Sequence, residues 1–225
     1  GDTHLGGDDF DNKVIDWMGP NGAGKTTTIR MITGVLDVDE GEILIDGKSI
    51  KKDPLEAKKN FGFVPDNPDM FLKLKGIEYL NFMADIYDIP KNKIKEKIEN
   101  LTKKFEIYNE LNNQIQSYSH GMRQKIVICG ALLSEPKNWI LDEPMTGLDP
   151  KSSFDLKEMM REHSKSGKTV FFSTHVLEVA EKLCDRVGII NKGKLVFVGT
   201  FEEMKQKFKE QASLEELFLE ITEQE

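Results

Sequence analysis

The residues best suited to chemistry in this sequence are a glycine-rich run, GPNGAGKTT, at Gly19 to Thr27. The run fits G-x-x-x-x-G-K-[ST], a loop that wraps a polyphosphate so that successive backbone N–H groups point inward. Gly22 and Gly24 supply the backbone freedom, and Asn21 and Thr27 complete the cradle. Lys25 is expected to reach the β- and γ-phosphates and the Thr26 hydroxyl to bind Mg²⁺. A second run, WILDEP at Trp139 to Pro144, carries two acids to the end of an apolar strand. Asp142 there is expected to help hold magnesium, and Glu143 to polarise a water for attack on the γ-phosphate. A lone Asp-Glu pair is more often a solvated turn. The glycine loop upstream turns this one into a candidate for nucleoside triphosphate hydrolysis, with ATP and Mg²⁺ as the cofactors.

Three further runs stand in fixed order around these two. They are YSHGMRQK at Tyr118 to Lys125, TGLDP at Thr146 to Pro150, and STH at Ser173 to His175. With all five in this order, the chain resembles an ATP-binding-cassette (ABC) ATPase from about Trp17 to its end. The resemblance implies that Ser119 and Gly121, with a helix starting near Met122, touch the γ-phosphate held by an opposite subunit. It places Asp149 at the interface of that head-to-tail dimer and makes His175 a γ-phosphate contact. Two positions depart from the family pattern. His120 stands where a glycine is usual, and Asp66, in FVPDNPD, stands where a glutamine usually senses magnesium and the membrane partner. A carboxylate still suits Mg²⁺, which prefers hard oxygen ligands.

These motifs need elements to hold them. Val14 to Met18 reads as an apolar strand entering the glycine loop, followed by helical pattern from Lys25 to about Val35. EILIDGKSI, Glu42 to Ile50, reads as a hairpin turning at Asp46-Gly47. From about 66 to 136 strand signals vanish. Ile77, Leu80, Ala84 and Tyr87, then Ile94, Ile98, Leu101 and Phe105, recur at helical spacing. Strands return at Asn138 to Leu141, Thr169 to Phe172, Arg186 to Ile190 and Leu195 to Val198, with a helix opened by Pro150. The tail from Thr200 reads as charged helix. The expected fold is α/β, a phosphate-loop ATPase of ABC type. It has a mainly parallel sheet flanked by helices, a helical subdomain at about 66–136 and an incomplete antiparallel β subdomain.

The net charge is −8, which argues against a general nucleic-acid binder. No run approaches the ~18 apolar residues of a membrane span. The expectation is a cytoplasmic subunit held at the inner face of the cell membrane by a separate integral membrane partner, and paired with a second ATPase subunit. Cys129 and Cys184 read as buried free thiols. Other functions stay open: an ABC ATPase unconnected with transport, or a nucleotide binder impaired in turnover. The second arises because GDTHLGGDDFDNKVIDW, residues 1–17, closely resembles a segment of the seventy-kilodalton heat-shock chaperone ATPase domain. It suggests a junction of two unrelated sequences near Trp17, with the cassette occupying 18–225. The chain begins with Gly1 rather than Met, which reads as processing or a fragment.

Overall fold

The computed structural model describes residues 14–19 and 22–208. Eight strands and eight α-helices lie within them. A six-stranded sheet has the order β4-β5-β6-β1-β7-β8, formed by Phe61–Val64, Asn138–Asp142, Thr169–Thr174, Val14–Met18, Arg186–Asn191 and Lys194–Gly199. The first five strands run parallel, and β8 returns antiparallel on β7. The expected α/β sheet is therefore present. The expected junction near Trp17 falls inside β1, which lies between β6 and β7 with Val14 opposite Val170 and Met18 opposite Thr174. Val14 to Trp17 thus pair as part of the central sheet.

Both faces of the sheet are covered, because successive side chains point to opposite faces. Trp139, Leu141, Val170 and Phe172 are buried in one cluster with Leu156 and Met160 of α6 (Pro150–Lys165) and with the helical region. Ile15, Ile140 and Phe171, on the opposite face, are buried with Ile29 of α1 (Lys25–Ile32). Full burial of one such side chain contributes about 1.5–3 kcal/mol. A third cluster, Met18, Val187, Ile189 and Phe197, is closed by Ala180 of α7 (Leu177–Leu183) and by Phe201 and Met204 of α8 (Phe201–Phe208). The rest of the charged tail lies outside the described residues.

Residues 66–136 contain α3 (Gly76–Ile86), α4 (Lys91–Lys104), two short 3₁₀ turns and α5 (His120–Leu132). The helical periodicity was a packing signal: Leu80, Ala84, Ile98 and Phe105 are all buried in one cluster. EILIDGKSI forms a hairpin of two short strands, β2 (Leu44–Ile45) and β3 (Lys48–Ser49), followed by α2 (Pro54–Lys58). Asp46 and Gly47 both have positive φ, at 48° and 73°, as a two-residue turn of the primed type requires. Two details differ from expectation. Helix α1 stops at Ile32, where Gly34 turns left-handed at φ 66°. Cys129 is buried, but Cys184 is only half-buried.

Candidate functional site

Strands β5, β6 and β1 are neighbours running in one direction, so the residues that leave their C-terminal ends meet at one edge of the sheet. Ligands in open parallel sheets sit at such edges. Gly19 leaves β1, Glu143 leaves β5 and His175 leaves β6. Lys25 is 6% exposed, and its ammonium is fully engaged. It donates to the Gly19 carbonyl at 2.9 Å, to the Thr174 carbonyl at 3.2 Å and to Glu143 Oε1 at 3.2 Å. The second oxygen of Glu143 lies 3.0 Å from His175 Nδ1. Lys25, Glu143 and His175 thus form one hydrogen-bonded group, although they are far apart in sequence.

Glu143 holds a left-handed backbone, φ 46°. For a non-glycine residue this costs on the order of 1–3 kcal/mol and persists only where the surroundings enforce it. Here its N–H donates to Ser173 Oγ at 3.0 Å, and the Ser173 hydroxyl donates to Asp142 Oδ1. Ser173 therefore joins the two acids, a role the sequence did not suggest.

Asp142 is 1% exposed, and its Oδ2 has no hydrogen-bond partner among the described residues. Burial pushes its carboxyl above the usual range, and the nearby Asp66 and Glu143 carboxylates push the same way; hydroxyls of Ser173 and Thr26 oppose them. A buried oxygen without a partner, a threonine hydroxyl and a neighbouring carboxylate fit Mg²⁺, which is held by one or two carboxylates together with substrate phosphates. Asp66 is also tied to Arg30, at 3.1 Å, a partner absent from the sequence reading.

The glycine loop is held from outside by the turn between β7 and β8. The Gly193 N–H donates to the Ala23 carbonyl at 2.8 Å, and a Cβ on Gly24, whose φ is 104°, would lie 3.2 Å from Gly193 Cα. Gly24 caps α1, whose free N–H groups and positive end suit a phosphate. Gly22 and Thr27 are exposed beside it. Asn21 lies outside the described residues.

Ser119, Gly121 and Asp149 gather at a different place, the start of α5. That helix begins at His120, two residues earlier than expected, because Ser119 caps it by accepting from the Met122 N–H at 3.3 Å. A Cβ on Gly121 would meet the Gly147 carbonyl at 2.5 Å, so loop 145–149 rests directly on this helix end. Asp149 caps α6 and pairs with Lys125 at 2.7 Å. That ammonium, with the Ser152 N–H and hydroxyl, holds the Asp149 carboxyl well below the usual carboxylate range. Ser119 and Asp149 are exposed.

A glycine loop between a central parallel strand and a helix, facing two acids at the end of the parallel strand one removed from it, defines a phosphate-loop nucleoside triphosphatase. The sequence model of the family described as "ABC transporter" matches residues 10–146, beginning upstream of the expected junction. The chain is 37% identical over 212 residues to the ABC-type transporter ATP-binding protein EcsA of Bacillus subtilis (strain 168), covering 94% of this chain and 86% of that protein. It is 35% identical over 201 residues to the SkfA peptide export ATP-binding protein SkfE of the same organism, covering 88% and 83%. A solved structure of an ATP binding subunit of an ABC transporter superposes with a TM-score of 0.89 at 32% identity, covering 94% of this chain and 89% of that one. The chain belongs to the ABC transporter family, as an ATP-binding subunit with ATPase chemistry. Subunits of this kind dimerise and work with membrane subunits. Among the described residues no helix is long and apolar enough to cross a membrane.

Proposed function

We propose that this chain powers an exporter-type ABC transporter by hydrolysing ATP between two copies arranged head to tail. Lys25 holds the β- and γ-phosphates, with Asn21, Gly22, Gly24 and Thr27 donating around them. Thr26, Asp142 and Asp66 would hold Mg²⁺, whose charge offsets that of the phosphates. Glu143 takes a proton from the attacking water, and His175 steadies both Glu143 and the γ-phosphate. Ser119 and Gly121 face the nucleotide of the other copy, and Asp149 lies where the two copies meet. Residues 66–136 act as a helical subdomain. A separate integral membrane subunit carries the substrate path and keeps the chain at the inner face of the membrane. The export-type name of SkfE supports the direction of transport. The heat-shock-like reading of residues 1–17 rests on sequence alone.

The observation that carries this reading is the Lys25–Glu143–His175 group beside the buried Asp142, with Ser119 exposed at the separate start of α5. Glu143→Gln should keep ATP binding, slow phosphate release by roughly 10²–10⁴ and accumulate a two-copy species on gel filtration with Mg²⁺ and ATP. A variant that elutes only as a single copy while ATP is demonstrably bound would overturn the two-copy arrangement.

A further inference from the structure

We infer that His120, the residue that departs from the family's usual glycine, is a positioning residue. Its ring fastens loop 145–149 to the start of α5 and so sets where Ser119 and Gly121 are offered to the second copy. The inference rests on the two-copy reading above.

The contact is made by the flat ring of this side chain. A Cβ built on Gly147 would lie 2.3 Å from His120 Cδ2 and 2.9 Å from its Nε2. The edge of the imidazole therefore occupies the space that any side chain at 147 would need. On the other side of the same residue, the Gly147 carbonyl lies against Gly121, 2.5 Å from where a Cβ would stand. Gly147 is thus gripped between two consecutive residues of α5, and its φ of 78° lets it turn there. Two further ties reinforce the grip: Gln124 Nε2 donates to the Pro144 carbonyl at 3.4 Å, and Lys125 pairs with Asp149 at 2.7 Å. The gripped loop starts at Glu143, whose turn is closed by the Thr146 N–H at 3.1 Å from its carbonyl. A glycine at 120 would leave the space beside Gly147 open, and the loop could shift on the helix. His120 itself is exposed. Its ring orders the loop by contact, without a hydrogen bond to it.

The test uses His120→Ala and His120→Phe, each in the Glu143→Gln chain, with pairing measured by analytical ultracentrifugation in Mg²⁺ and ATP. His120→Ala should weaken pairing by roughly tenfold, because a small misplacement of recognition groups is costly. Its ADP affinity, a property of one copy, should stay within about twofold. His120→Phe, which keeps a flat ring and loses both nitrogens, should restore pairing. In a double-mutant cycle, Gly147→Ala should cost at least about threefold less pairing beside His120→Gly than beside histidine, since neighbours in contact are non-additive. Three results would each overturn the inference: His120→Ala pairs like its parent, His120→Phe is as weak as His120→Ala, or the cycle is additive. The Glu143→Gln parent is the control for the underlying reading. If it fails to pair, the two-copy arrangement falls first, and His120 is not what failed.

Discussion

The edge where β1, β5 and β6 end and the start of α5 are held together by different physics. At the sheet edge, polar groups converge from a buried ammonium out to an exposed histidine: the ammonium has three acceptors, and one carboxylate lies between it and the histidine. At α5 the contacts are mostly of shape, glycine against carbonyl and glycine against ring, with Ser119, His120 and Asp149 left exposed. On the function proposed above, the first region binds and polarises a phosphate within one copy. The second has its fixed parts facing inward and its polar parts facing out, a surface for something else to meet. Single substitutions should separate the two.

The largest separation is expected from Lys25→Ala. Removing a charge-assisted contact to phosphate is worth about 1.5–3 kcal/mol, so ATP affinity of one copy should fall by roughly tenfold to a hundredfold. Isothermal titration reads this directly, and an unchanged affinity would remove Lys25 from the phosphate site. Gly121→Ala probes the other region. Its Cβ would press on the Gly147 carbonyl, so the loop or helix must shift. Turnover should drop roughly tenfold, with one-copy nucleotide affinity unchanged. A loss of affinity instead would show that the regions are not separable. The smallest effect is in stability. Asp142 has a carboxyl raised by burial. A carboxyl whose folded pKa lies above its unfolded value contributes stability at low pH and loses it as pH rises, so at neutral pH the charge costs stability. Asp142→Asn should therefore raise the melting temperature by about 2–4 °C for each ~1 kcal/mol recovered. A lower melting temperature would mean that the Ser173 and Thr26 hydroxyls already compensate the buried charge.

What the sequence made legible was local. The strand, glycine loop and α1 follow one another within a few residues, and so do the Asp46-Gly47 hairpin and the apolar strand ahead of Asp142. Their local residue types were enough to read them. What it hid were contacts across the chain: Arg30 with Asp66, Ser173 with both acids, the Gly193 turn on Ala23, and His120 on Gly147. None has a periodicity or spacing to read. The left-handed backbone of Glu143 was hidden for the same reason, since its enforcing partner is a serine on another strand. The central place of Val14–Met18 was hidden too, because its partners, Val170–Thr174 and Arg186–Ile189, lie more than a hundred residues along the chain.

That central strand also sets an order of events during synthesis. β1 is the first described strand to leave the ribosome, yet its neighbours, Val170 to Thr174 and Arg186 to Ile189, are among the last. At ~5–20 residues per second, β1 waits roughly 8–30 s with both edges unpaired. Until then the glycine loop has no strand beneath it and no Gly193 turn behind it. A nascent chain halted before β7 should therefore be unable to retain nucleotide, and ATP binding would appear only once β7 and the Gly193 turn have been made.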